Sequence, residues 1–182
     1  AKQVSLTKLG SIKINKEERR KMYRTIPRSS IMGFLIGVLP GAGATIASFL
    51  AYGMERNLVK DEEKEKFGKG SVNGLSAPET ANNAACSGSF VPMLTLGIPG
   101  SGTTAVMLGA LLGFGIQPGP RLYMTNPEIF WSVIISMYVG MVILLILNLP
   151  LIPYIARILA VPKNYLIPLI LFFSMTGIYA VS

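Results

Sequence analysis

Long stretches of this chain carry no charge, and they set its plan. Residues 80–120, 129–156 and 164–182 contain no Asp, Glu, Lys or Arg, and each meets or approaches the roughly 20 apolar residues that cross a bilayer as a helix. Residues 29–52 form a fourth such stretch, while polar residues concentrate in 1–28 and 53–70. The pattern predicts an all-α, polytopic membrane protein. Its parts are a basic cytoplasmic loop over 1–28, a broken membrane helix over 29–52 and a charged connector over 53–70, helical around Asp61 to Phe67. A broken helix pair over 76–117 and membrane helices over 129–156 and 164–182 complete it. Within the first loop, Asn15 is placed to cap a short amphipathic helix reaching Tyr23, with Glu17 and Glu18 in its first turn.

Two of these segments are interrupted. At Pro40-Gly41-Ala42-Gly43, proline removes a backbone donor and glycines permit non-helical dihedrals. At Ser76-Ala77-Pro78-Glu79, Ser-x-x-Glu with Pro in the first turn marks a helix start. That helix runs through Ala81, Asn82, Asn83 and Cys86 toward Leu96, with a bend expected at Pro92. It meets a second interruption at Pro99-Gly100-Ser101-Gly102, and another apolar helix follows from Thr103 to about Ile116. The two interruptions form an internal repeat. Leu39-Pro40-Gly41-Ala42-Gly43-Ala44-Thr45 aligns with Ile98-Pro99-Gly100-Ser101-Gly102-Thr103-Thr104 at both prolines, all four glycines and the final threonine. Unwound backbone at membrane depth is tolerated only where protein buries it or it lines a wet cavity. In secondary transporters such breaks offer half-helix amides to anionic substrate groups and freed carbonyls to Na⁺. Against this stands the plainer reading that Pro-Gly pairs kink helices for packing.

Composition narrows the function further. Only 14% of residues are charged, against about 25% in ordinary soluble domains. The net charge of +8 sits almost wholly in residues 1–28, which hold nine Lys or Arg against Glu17 and Glu18. A basic block before an apolar segment is what the positive-inside rule expects of a cytoplasmic loop. The basic residues neither interleave with aromatics nor form a recognition helix, so no nucleic-acid partner is expected. With no His and one cysteine, Cys86, no Cys/His metal cluster or thiol–imidazole pair can form; no enzyme activity and no cofactor are expected. Gly33 and Gly37, and Gly109 and Gly113, form G-x-x-x-G pairs read as helix-packing positions.

The candidate substrate or ion site is therefore Pro40, Gly41, Gly43 and Thr45 of the first break with Pro99, Gly100, Ser101, Gly102, Thr103 and Thr104 of the second. Glu79 joins them as an ionisable residue within a membrane segment, although its place in a capping box gives it an equally ordinary structural role. Asn82 and Asn83 join because an unpaired amide in hydrocarbon costs several kcal/mol, so they face either a polar cavity or another helix. Arg121 reads as a headgroup-level residue. A channel-like or purely structural membrane subunit is the alternative to a transporter.

At GVLPGAGATIASFLAYG, APETANNAACSGSFVPMLTLGIPGSGTTAVMLGALLGFGIQPGP and the helices after them, the chain resembles the large permease subunit of the tripartite tricarboxylate transporters, the TctA family. The resemblance covers residues 25–182. It implies a multi-pass permease of the bacterial inner membrane that imports carboxylates such as citrate on an ion gradient, Na⁺ or H⁺. It also implies two partners, a small membrane subunit and a periplasmic solute-binding protein. Family members are roughly twice as long or more, with related breaks in a first half. The chain opens at Ala1 and stops within the apolar run LIPLILFFSMTGIYAVS, so a fragment from the second half is expected.

Arg157 and Lys163 flank the turn between the last two helices, and with the basic N-terminal block they place both regions in the cytoplasm. Residues 118–128 are then periplasmic. Residues 29–52 either re-enter or span, and the Lys-rich connector favours re-entry. A single cysteine at Lys64, in the full-length protein with Cys86→Ser, is accordingly expected to be shielded from an impermeant thiol reagent in intact cells. Ready labelling there would instead place the connector outside.

Overall fold

The computed structural model describes residues 14–155 and 163–181. The first thirteen residues of the basic loop, and Arg157, lie outside the described residues. Among these the chain is built of helices and turns, with no strand. By their contacts they divide into a unit of Ile14–Met137 and another that takes in the described residues from Tyr138 onward.

Helix α1 covers Lys16–Val38. Asn15 starts it through a reciprocal box, its side-chain oxygen accepting from the Glu18 amide and the Glu18 carboxylate from the Asn15 amide, both at 2.8 Å. The cap matches the expected position, but the helix does not stop near Tyr23; loop and apolar segment are one continuous element. Pro27 lies inside it at an exposed position, as does Tyr23, whose carbonyl loses its helical donor. After a joint at Leu39–Ala42, α2 runs Gly43–Leu58, so its last turn extends into the expected connector. The short α3, Asp61–Lys64, and a turn lead to α4, Val72–Gly88.

The Ser-x-x-Glu box at Ser76 is not the start of α4. Ser71 caps it instead, accepting from the Gly74 amide at 3.1 Å while donating to the Glu63 carboxylate at 3.2 Å. A serine already held by a tertiary partner takes the cap, and Pro78 falls in the helix interior. There Ser48 donates to the Pro78 carbonyl at 3.2 Å. The bend expected at Pro92 is an interruption at Ser89, after which α5 covers Phe90–Leu96 with Pro92 in its first turn. Then come α6, Gly102–Gly113, α7, Leu122–Thr125, α8, Pro127–Ile155, and α9, Lys163–Val181.

α1, α2 and α4 pack as a three-helix core. Small residues at four-residue steps form the seam: Thr25, Ser29, Gly33 and Gly37 on α1 are buried, as are Asn73, Ala77, Ala81 and Ala85 on α4. Thr25 meets Asn73, Gly33 meets Ala81 and Gly37 meets Ala85, a constant offset, so the two helices run parallel. α2 runs against both, pairing Ser48 with Pro78 and Glu55 with Asn73. It contributes Ala47 and Ala51 to a cluster with Ala77, Ala81 and Ala85 that is almost wholly buried. A second cluster holds Met93, Leu94, Leu111, Leu122 and Val133, seating α5 to α7 and the start of α8. Among the described residues one helix, through Pro127–Ile152, is long and apolar enough to cross a membrane.

The two G-x-x-x-G pairs differ in use. A Cβ on Gly33 would lie 2.6 Å from the Ala81 Cα, and one on Gly37 at the same distance from the Ala85 Cα, whereas at Gly109 and Gly113 nothing lies within 4 Å. Gly37→Leu is thus expected to destabilise the full-length protein by about 3 kcal/mol, the upper end for overpacking, since fixed backbone cannot yield to the added atoms. Gly109→Leu should leave the thermal midpoint in detergent close to wild type, and equal effects of the two would refute this seam.

Candidate functional site

The joints before α2 and α6 carry the repeated sequence, yet their backbones differ. In the first, Gly41 and Gly43 take positive φ of 81° and 69°. In the second, Gly100 and Gly102 do not, and the left-handed residue is Gly97 at 71°, where α5 ends with Gly97 donating to the Met93 carbonyl and Ile98 to that of Pro92. Glycine suits that left-handed helix end, and Pro99 prevents continuation. The aligned positions Ala42 and Ser101 also differ. Ala42 gives α2 no side-chain cap. Ser101 caps α6, its Oγ accepting from the Thr104 amide at 3.3 Å and the Thr104 Oγ1 accepting from the Ser101 amide at 2.8 Å.

Both joints open into one cavity of about 600 Å³. Gly41, Gly43, Ala44 and Thr45 line it from the first, Pro99 through Ala105 from the second, and Cys86, Ser89 and Phe90 from the end of α4 and start of α5. Their closeness follows from absent side chains: a Cβ on Gly100 would lie 2.9 Å from the Ser89 Cβ and 3.4 Å from the Gly37 carbonyl oxygen. No lining residue is charged.

What the cavity offers is backbone N–H. The first amides of a helix have no carbonyl four residues back. In α6 the Ser101–Thr104 box uses two, leaving those of Gly102 and Thr103; in α2 the amides of Gly43, Ala44 and Thr45 begin an uncapped helix. The first residues of two helices, each a positive dipole end, thus line one uncharged space, an arrangement suited to an anion. The Thr45 and Thr103 hydroxyls are on exposed residues beside these amides, whereas Thr104 is buried and its hydroxyl belongs to the cap.

Four candidates lie outside this lining. Pro40 is exposed in the first joint. Glu79, Asn82 and Asn83 are exposed on α4, the Asn83 amide donating back to the Glu79 carbonyl at 2.9 Å. Asn82 lies one turn before Cys86, whose Sγ is 3.7 Å from its side-chain oxygen. This pair connects α4's exposed face to the cavity rim.

Sequence reasoning missed a buried polar cluster. Glu55, assigned to the charged connector, is fully buried. Arg28 Nη2 donates to both its carboxylate oxygens at 2.7 and 2.9 Å, Thr25 to one at 2.8 Å, and Asn73 to the same one at 2.9 Å. The signal available was its spacing from Ala47 and Ala51, which continues the buried face of α2 by one turn. Nearer the N-terminal end of α1, the Lys21 ammonium donates to Glu63 at 3.0 Å, a bond that raises its pKa. Burial pushes the Glu63 carboxyl up, but Lys21, Lys66 and Ser71 outweigh it and hold the group below its ordinary value.

Comparison with known proteins agrees with the resemblance in the sequence. The model of the tripartite tricarboxylate transporter TctA family matches residues 1–182. An Agrobacterium vitis protein described as an uncharacterized 52.8 kDa protein in the TAR-I ttuC′ 3′ region is 40% identical over 181 residues, covering 100% of this chain and 36% of that protein. A second from Agrobacterium vitis, an uncharacterized protein in the TAR-II ttuC′ 3′ region, is 45% identical over 150 residues, covering 82% of this chain and 61% of its own. The chain thus spans between about a third and three-fifths of these relatives. No solved structure matches it.

The cap predicts a split between neighbouring threonines. Thr104→Val removes a buried hydroxyl that both accepts from and donates to Ser101, and is expected to lower full-length stability by about 1–2 kcal/mol. Thr103→Val, exposed and outside the cap, should leave the melting midpoint unchanged; equal losses would show that the box does not hold the helix start.

Proposed function

The chain belongs to the tripartite tricarboxylate transporter TctA family, and from that premise we propose that its two joints form the carboxylate site of the permease subunit. The supporting observation is the convergence of two helix N-termini on one uncharged cavity of about 600 Å³. In this reading the Gly102 and Thr103 amides hold one carboxylate group, and the Gly43, Ala44 and Thr45 amides another, so a di- or tricarboxylate bridges α2 and α6. The Thr45 and Thr103 hydroxyls add donors. Charge compensation comes from helix dipoles and not from Lys or Arg, which keeps affinity moderate and lets the ligand leave. Pro40, Pro99 and Gly100 shape the joints, and Ser101 and Thr104 hold the second one rigid.

Glu79, Asn82 and Asn83, outside the cavity lining, are assigned to the coupling cation, Na⁺ or H⁺, for which an exposed carboxylate and amide oxygens are suitable groups. The permease is multi-pass in the bacterial inner membrane, with the basic end of α1 on the cytoplasmic side. A periplasmic solute-binding protein delivers the substrate, and a small membrane subunit completes the system.

Uptake of labelled citrate-like acids by vesicles holding the full-length protein and its partners tests this. Gly43→Leu and Gly102→Leu are expected to abolish uptake at normal membrane abundance, because a bulky side chain bars the ligand from the backbone and, at Gly43, strains a positive φ. Thr103→Val should raise the carboxylate half-saturation concentration by about tenfold, equivalent to 1.4 kcal/mol. Asn83→Ala should alter the cation half-saturation and not that for carboxylate. Normal uptake in both leucine variants would remove the joints from the site, and uptake without accumulation against a gradient would favour a channel.

A further inference from the structure

A second cavity, of about 450 Å³, lies among the N-terminal half of α1, the C-terminal end of α2, α3 and its following turn, and the start of α4. Along α1 it is roughly 25 Å from the joints, taking 1.5 Å per residue. Its charges are unevenly satisfied. Of its three acids, Glu63 is bonded to Lys21 and Lys66 and Glu17 to Lys21, which leaves Glu62. Of its five cations, Arg24 and Lys60 have no ion-pair partner among the described residues.

Two of the residues that line this cavity, Arg28 and Asn73, also carry a buried polar atom that is unspent. Arg28 uses Nη2 on Glu55, and its Nε is buried with no hydrogen-bond partner. Asn73 is 5% exposed; its Nδ2 serves Thr25 and Glu55, and its Oδ1 is left buried and unpartnered. Such atoms cost free energy unless a ligand satisfies them. The set asks for a ligand with an anionic group for Arg24, Lys60 and Arg28 Nε, and a hydrogen-bond donor for Asn73 Oδ1 and Glu62.

An apolar stripe leads away from this cavity. Leu58 lines it and is 56% exposed; Met54 and the exposed Leu50 follow at four-residue steps on the same face of α2, and residues so spaced are neighbours on a helix surface. A soluble phosphate compound has no use for that stripe, whereas a lipid tail does. We propose that this cavity holds the headgroup of an anionic glycerophospholipid carrying hydroxyl donors, its phosphate on Arg24, Lys60 and Arg28 Nε and an acyl chain on Leu58, Met54 and Leu50. Basic pockets between membrane helices on the cytoplasmic side recognise phosphate headgroups in this way. The inference rests on the membrane reading given above.

The test uses the full-length protein in detergent, delipidated and titrated with phosphatidylglycerol, phosphatidylcholine or inorganic phosphate while thermal stability is followed. Phosphatidylglycerol is expected to stabilise it and the other two are not. Arg24→Gln combined with Lys60→Gln, both at exposed positions, should weaken phosphatidylglycerol binding roughly thirtyfold, equivalent to about 2 kcal/mol for two basic residues near a membrane surface. Equal stabilisation by phosphatidylcholine, or by inorganic phosphate, would overturn the proposal, as would unchanged binding in the double variant. Alkaline carbonate extraction of the cell membranes that hold the full-length protein, before detergent is added, separates the two readings. Release from the membrane would sink the membrane reading, whereas retention with no phosphatidylglycerol effect would sink the headgroup site alone.

Discussion

The backbones of α1 and α4 lie so close at Gly33 and Gly37 that no side chain fits between them and the main chain of Ala81 and Ala85. This approach organises the rest of the unit. Backbones this close gain many van der Waals contacts, each small and together large. The same contact restricts the register of the two parallel helices to four-residue steps, because Gly33 and Gly37 must both meet alanines, which α4 offers at Ala77, Ala81 and Ala85. α2 then closes the core through Ala47 and Ala51, which are as small and as buried.

Register at the seam decides what happens at its end. Gly37 on α1, Gly88 and Ser89 at the end of α4, and Gly100 in the second joint crowd together without side chains between them, and this draws the joint before α6 alongside the joint before α2. The cavity between them is thus a consequence of packing. Its chemistry comes from helix ends: residues whose amides lack intrahelical partners line a space with no charged side chain. The Ser101–Thr104 box spends two of those amides on rigidity, so the second joint is narrower in what it offers than its sequence suggests.

At the other end of α1 the seam changes from small apolar residues to polar ones. A buried carboxylate is costly unless it is paired and hydrogen-bonded, and Glu55 is both, through Arg28, Thr25 and Asn73. Each partner comes from α1 or α4, so the cluster is satisfied only when all three helices are in register. It thereby penalises a slipped arrangement that the alanine and glycine contacts alone would tolerate more readily.

Much of this architecture was legible in the sequence because it depends on local or summed properties. The helical content follows from uncharged runs, the cap at Asn15 from residues three apart, and the two joints from Pro-Gly runs that no helix continues through. Sequence similarity of the joints did not determine their conformation, since Ala42 and Ser101 differ by one hydroxyl and that hydroxyl builds a cap. The choice of Ser71 over Ser76 as the start of α4 was hidden as well, because Glu63 selects it from another element. The burial of Glu55, and the exposure of Glu79, Asn82 and Asn83 on α4, were decided only in three dimensions. A helix period tells which residues share a face, but which face meets a neighbour depends on surfaces dozens of residues away, and only packing brings those together.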